Sequence, residues 1–451
     1  MNLKKIIVVG GGPAGIAAAL SAARAGGDVT LIERLGFCGG SATAMQVPAF
    51  GPFSDRTRSI VGGIAWEVLM AHQKALGRPL ADPESYYTPQ DQGRMDWVPI
   101  DVELLKRLYD ELLETAGVTV LFHTFVPEVQ KEGNRVTSIT LANKSGLTTL
   151  NGAVFIDATG DADLAARAGC PFELGDESGL TQGMTLCFTI TGGSRTQYLN
   201  YVYSTGDGYL KNLVAKAKAD GAWDLPDASL VGMSFKDEIT AGCNLGHVWG
   251  FDATDATSVS HAEREGRQVA AKLVNFLRAY VPGQESITLV STGPHIGVRE
   301  SRRIIGDYTL TLDDYLACHS FPDEIARCAY FIDLHAATTE EAARAKAVTD
   351  GGKTSASLPP GQSHGIPYRC LIPQGVENLL VAGRSLSAER AVQGAARIMP
   401  YCFAMGEAAG LAAVLVLEAG GAVRGIDTSE LRERLRGVGA YLPTSPPNPL
   451  P

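Results

Sequence analysis

Gly10, Gly12 and Gly15 carry the G-x-G-x-x-G spacing of a phosphate cradle. They stand between the β-branched run Ile6-Ile7-Val8-Val9 and an alanine-rich stretch that opens with Pro13 and Ala14. In such a turn the first glycine permits a tight reversal and the second lets the backbone approach a pyrophosphate. The third lets the helix pack close to the strand. Free N–H groups at the helix start then face the phosphates. A second short strand, Val29 to Ile32, ends at Glu33, where a carboxylate can accept hydrogen bonds from ribose hydroxyls. Lys4 and Lys5 ahead of the apolar run imitate a secretion signal. The glycines and the terminal acid favour the nucleotide cradle.

A second group of residues has the types needed for proton transfer. Asp333 and His335, in "FIDLH", sit two apart, so on a strand they share a face. An imidazole oriented by a carboxylate and titrating in its ordinary range is a usable proton acceptor. "GVRESRR" places Arg299, Arg302 and Arg303 in one run. An extended backbone brings Arg299 and Arg303 together, a helical one Arg299 and Arg302. Either pair would clamp a carboxylate or polarise a carbonyl; the alternative is a solvated basic patch paired with Glu300 and Asp307. His364 is a further base candidate. His72, His123 and His261 have no such context.

These residues need a scaffold. With 451 residues the chain exceeds a typical single core, which favours two joined domains. A net charge of −10 disfavours nucleic acid and anionic membranes as partners. Apart from the glycine-rich start, no uncharged apolar stretch reaches the roughly 18–20 residues of a membrane span, and Leu411 to Leu417 reads as part of a buried helix. The eight cysteines are scattered without a C-x-x-C pair, which argues against zinc or a redox dithiol and fits a reducing cytoplasm. Patterning predicts helices over 63–76 and from Val102 to Gly117, then a strand over 118–126 and two hairpins, around Gly133 and Gly146. "AVFIDATGDADLAARAG" reads strand, turn, helix. "NLLVAGR" reads as a buried strand, followed by a long helix opening near Pro400. The Pro-rich end, 441–451, reads as a flexible tail.

The segments "DATGDADLAARAG", "ERLGFCGGSATA", "IGVRESRRIIGDYTLTLDD" and "NLLVAGRSLSAERAVQGAARIMPYCFAMGEAAG" resemble the bacterial FAD-dependent oxidoreductase family of the glutathione-reductase-like flavoproteins. The resemblance implies an α/β fold in which a discontinuous Rossmann-type FAD-binding domain, residues 1–50, 101–172 and 366–440, carries an inserted mixed α+β substrate domain, residues 51–100 and 173–365. It implies FAD as cofactor, with Gly10, Gly12, Pro13, Ala14 and Gly15 at the pyrophosphate, and Glu33 at the adenosine ribose with Arg34 beside it. Gly39, Gly40 and Ser41 would pass close to pyrophosphate and flavin, Val126 would lie beside the adenine, and Ala158, Thr159 and Gly160 would form a second contacting turn. Gly383 and Arg384 would meet the ribityl chain, although many relatives carry Asp in place of Arg384. The helix near Pro400, with Arg397 before it, would face the N1 and C2-carbonyl edge, where a reduced flavin develops negative charge. Cys38 falls near this flavin, where packing is expected in preference to covalent attachment.

The activity implied is two-electron oxidation of a small polar organic substrate. The alternatives are reduction of an activated C=C bond, a flavin monooxygenase, an RNA-modifying flavoprotein and a non-catalytic FAD-binding scaffold. "RSLSAERA" after "NLLVAG" departs from the G-D-A-A-H type of monooxygenase sequence, and the acidic charge disfavours RNA. With no second dinucleotide motif, oxygen, a quinone or a carrier protein remains open as electron acceptor.

Overall fold

The computed structural model describes residues 5–78, 97–340 and 357–443. The polar aromatic stretch expected before Val98 (Trp97 apart) and the tail from 444 onward lie outside the described residues.

The β-branched run near the start forms β1 (Lys5–Val9), whose Ile6, Ile7 and Val8 are wholly buried, as befits a parallel strand covered on both faces. Helix α1 (Pro13–Arg24) follows, then β2 (Asp28–Ile32), α2 (Gly63–Ala75), α3 (Val102–Thr115), β3 (Thr119–Leu121), β4 (Val154–Asp157), β5 (Leu379–Val381) and α4 (Met399–Ala419). The five strands form one parallel sheet in the order β5-β4-β1-β2-β3. Val9 pairs with Ile32 on one side and Asp157 on the other, so the ends of β1, β2 and β4 align. That row of strand ends is where open α/β sheets place their ligands.

Helix α1 is buried almost all round because α4 packs across it. A methyl group on Gly406 or Gly410 of α4 would strike the Ala14 or Ala18 carbonyl of α1, and Ser21 Oγ donates to the Glu407 carbonyl at 3.0 Å. Among the described residues α4 is the one helix long and apolar enough to cross a membrane by length and composition. It is the central core helix, 78% buried over its most apolar window.

Residues 188–292 supply a four-stranded antiparallel sheet in the order Met233–Phe235, Thr240–Cys243, Phe188–Thr191, Thr288–Thr292. The helix Ala256–Tyr280 turns Ala262, Gly266, Ala270, Leu273 and Leu277 inward at helical spacing, and Phe188, Ile190 and Leu273 share a separate core there.

One expectation changes. The strand over 118–126 is broken at His123, whose φ is 51°. There the chain crosses the end of β2, with Thr124 N–H donating to the Glu33 carbonyl at 3.1 Å, and it resumes as a strand at Phe125–Glu132. Also, Ile64 and Val68 of α2, together with Tyr315, Ile325 and Ile332, bury their side chains in the same core as α1 and α4.

Candidate functional site

A cavity of about 940 Å³ runs from the strand ends of the parallel sheet to the antiparallel sheet. Its first end is made by the turn between β1 and α1. Gly10 has φ of 100°, and a methyl at Gly15 would run into the Gly10 carbonyl, so both glycines are required by backbone packing. Gly12 differs, because a Cβ there would meet only Gly40 Cα, at 3.8 Å, and would otherwise enter the cavity. Gly12 is also the N-cap of α1 and offers no capping side chain. Pro13 has no N–H, so the N–H groups of Ala14 and Gly15 are the donors without intrahelical partners at this end.

Glu33 lines the same end, its Oε2 accepting from Gly11 N–H at 2.6 Å and its Oε1 from Leu35 N–H at 2.8 Å. Burial raises its pKa above the ordinary carboxylate value, against the pull of those two donors. Arg34 Nη2 lies 2.6 Å from His295 Nε2. His295 Nδ1 faces the Ile296 carbonyl at 2.7 Å, so Nδ1 holds the proton and Nε2 accepts from Arg34. Burial and the Arg34 charge lower this imidazole to about 4.

Further along, the cavity passes Gly40, Ser41, Ala158, Thr159 and Gly160 to Gly383 and Arg384. A methyl at Gly383 would lie 3.3 Å from Ala14 Cβ and 3.9 Å from Cys402 Sγ, so the first turns of α1 and α4 meet there. Arg384 does not reach into the cavity as a free charge: its Nη2 pairs with Asp161 Oδ1 at 2.6 Å, and Ser301 Oγ donates to the same oxygen at 2.7 Å. Burial pushes Asp161 up, but Arg384 and Ser301 outweigh it and hold the carboxylate low. Arg397, Ile398 and Met399 bring the start of α4 to the wall. Pro400 has no N–H to place there, and the first intrahelical bond of α4 runs from Cys402 N–H to the Ile398 carbonyl at 3.0 Å.

The far end holds Arg299, Asp333 and His335 together with His247 and Tyr330. His335 Nε2 lies 3.3 Å from Asp333 Oδ1 and its Nδ1 2.9 Å from His247 Nε2, while His247 Nδ1 lies 2.7 Å from Asp227 Oδ1. Arg397 Nη2 lies 3.0 Å from Asp333 Oδ2. Burial, reinforced by the Arg299 charge, lowers His335 to about 3 despite Asp333, and burial lowers His247 despite Asp227. Burial pushes Asp333 up, but its neighbours, the Arg397 and Arg299 charges among them, hold the carboxylate well below the usual range. Burial and Asp333 push the Tyr330 phenol up. Arg299 Nη1 donates to the Gly183 carbonyl at 2.7 Å and to Thr185 Oγ1 at 2.9 Å. Among the described residues it has no carboxylate within ion-pair distance, and burial lowers its pKa to about 10.

Several sequence candidates stand elsewhere. Asp333 and His335 meet without a strand, on an irregular segment whose backbone is held by His335 N–H donating to Gln182 Oε1 at 3.0 Å. Arg302 turns away, to the Asp161 carbonyl at 2.9 Å and Asp163 Oδ1 at 3.0 Å. Arg303 is buried against Glu300 at 2.6 Å, so neither proposed arginine pair faces the cavity. Asp307 pairs with Arg424 and not with this run. His364 is fully buried against Tyr315, off the cavity, because its strand His364–Pro367 pairs with Glu324–Cys328. Val126 is buried in an apolar cluster with Ile7 and Ile32 and does not line the cavity. Gly39 supports the loop from behind, its N–H donating to the Gly11 carbonyl at 2.7 Å. Cys38 is wholly buried off the cavity, its thiol pushed well up by burial. Sequence reasoning missed Asp161, Asp227, His247 and His295. Of these only Asp161 lay inside a quoted motif, "DATGDADLAARAG".

The family model for FAD dependent oxidoreductases matches residues 5–435. The chain belongs to that family. No curated protein matches the chain. Among solved structures it is similar to p-nitrophenol 4-monooxygenase from Pseudomonas putida DLL-E4, with 12% identity over 97% of this chain and 86% of that one and a TM-score of 0.44. It is similar at the same identity to a geranylgeranyl bacteriochlorophyll reductase-like protein from Thermoplasma acidophilum, over 96% of this chain and 82% of that one, TM-score 0.45. The cavity fits the family's cofactor on its own evidence. Gly12 presents bare backbone to it, and two helices begin at its wall with their positive ends.

Proposed function

We propose that this protein oxidises a small polar organic substrate by two electrons, taking a proton from an O–H or N–H group through His335. FAD, when bound, supplies the hydride acceptor. Gly12 with the N–H groups of Ala14 and Gly15 would hold its pyrophosphate, Glu33 its adenosine ribose, and the start of α4 the edge where negative charge develops. His335 would sit at the substrate end, kept neutral by burial and by Arg299, with Nε2 as the atom that would take the proton. Asp333 would orient the ring and receive the new N–H. The observation that carries this reading is the cavity-facing contact of His335 Nε2 with Asp333 Oδ1.

A second reading, reduction of an activated C=C bond, has one observation in its favour. Arg299 faces the cavity without a carboxylate partner among the described residues and would clamp a substrate carboxylate. An anaerobic comparison separates the two. If the first holds, a panel of alcohols, hydroxy acids and amines includes members that bleach the visible absorbance of the holoenzyme flavin. If none does, and a chemically reduced flavin is reoxidised by α,β-unsaturated carboxylates, the second holds.

A further inference from the structure

Asp227, His247, His335 and Asp333 form a line with three polar contacts, of 2.7, 2.9 and 3.3 Å. Each contact needs one proton to be a hydrogen bond, and two neutral imidazoles bring only two. With both carboxylates ionised, one contact is therefore a lone pair facing a lone pair. Its place follows from the surroundings. Asp227 is 7% exposed and its Oδ2 has no partner, so its charge depends on the proton of His247 Nδ1. Asp333 already has the Arg397 guanidinium at 3.0 Å, and it sits at the longest of the three contacts. The vacancy belongs there.

We infer that Asp227 and His247 are positioning residues which hold both imidazoles in the Nδ1–H tautomer, so that an empty proton slot between His335 Nε2 and Asp333 Oδ1 opens onto the cavity. The catalytic use of the slot rests on the proposed role of His335; the tautomers do not. A substrate O–H or N–H that fills the slot breaks as His335 Nε2–H forms, and the new N–H donates to Asp333. The charge then lies between two carboxylates, shared along the line through His247 to Asp227. Arg299 and Arg397 are the cations facing this array, and Tyr330 is the phenol beside Asp333. An isolated Asp–His pair would leave the choice of tautomer open; Asp227, far from the substrate, makes it.

Nitrogen NMR of the holoenzyme labelled with nitrogen-15 histidine tests this, with the two rings assigned from His247→Gln and His335→Gln. At neutral pH both rings should be neutral, with Nδ1 protonated and Nε2 showing the large downfield shift of a bare ring nitrogen. In Asp227→Asn the side-chain amide can donate to His247 Nδ1, so all three contacts fill only if both rings reverse. His335 should then switch to Nε2–H, although the change is two residues along the line. In Asp333→Asn the amide donates into the slot, and neither tautomer should change. Nε2–H rings or an imidazolium in the wild type would overturn the inference, as would a His335 unmoved by Asp227→Asn. Should Asp227→Asn fail to fold, the wild type and Asp333→Asn still decide. A correct tautomer pattern with an active His335→Ala would instead sink the proposed function and leave the array standing.

Discussion

Arg397 reaches Asp333 twice, its Nη2 lying 3.0 Å from Oδ2 and 3.1 Å from the backbone carbonyl. The residue just ahead of α4 thus fixes the irregular segment that carries Asp333 and His335. Its charge is engaged by Asp333 at the cavity wall.

Arg397→Gln should therefore destabilise the protein by roughly 1–3 kcal/mol, the cost of leaving a partly buried carboxylate without its donor. Urea unfolding of the FAD-free protein reads this directly. Unchanged stability would mean that Asp333 is held by something other than Arg397.

Gly12→Val and Gly15→Val should fail in different ways. At Gly12 the added side chain has open cavity before it, so the variant should fold with a near-normal melting temperature and purify without yellow colour. At Gly15 it collides with the Gly10 carbonyl, so folding itself should suffer. Full FAD occupancy in Gly12→Val would overturn the assignment of this end to the pyrophosphate.

The difference between these glycines could be read from the sequence because a strand-turn-helix is local. The tight turn, the close approach and the helix packing are all set within six positions. Asp333 and His335 were likewise found because they are two apart, although the strand invoked to align them does not exist. His247 is 88 residues from His335 in the chain and Asp227 a further 20 away, and no periodicity points from one to another. Their meeting depends on how the antiparallel sheet docks over the strand ends. Arg302 and His364 show the converse limit. Residue type made them candidates, but the strand each belongs to pairs so that its side chain leaves the cavity.

Glu407, on α4, accepts from Ile64 N–H at the start of α2 at 3.3 Å, and burial raises its pKa to about 8. The ionised Glu67 pushes the same way; Ile64 and Arg24 oppose. The folded protein therefore holds a proton here that the unfolded chain releases near the ordinary value of 4.5. Its contribution is complete below that value and is lost as pH rises toward 8. Glu407→Gln should flatten the fall in melting temperature between about pH 5 and pH 8. An unchanged slope would show that Glu407 ionises normally.

His72, His295 and His364 are each lowered to about 4, chiefly by burial. The unfolded chain binds protons at these positions from 6.5 downward while the folded one does not, so stability should decline as pH falls from 6.5 toward 4. His364→Phe should lessen that decline. It should leave substrate reduction of the flavin nearly untouched, far from the roughly 10²–10⁴-fold loss of a missing general base. A loss of that size would return His364 to the site.

The most direct measurement is the anaerobic rate of flavin reduction in wild type and His335→Ala, at equal FAD content and over a range of pH. The variant should be roughly 10²–10⁴-fold slower, with FAD binding and melting temperature little changed. Because His335 is lowered to about 3, the wild-type rate should show no inflection from this residue in the ordinary imidazole range, contrary to the expectation from sequence. A variant that reduces its flavin at the wild-type rate, or loses FAD and fold in proportion to activity, would contradict a proton-accepting His335.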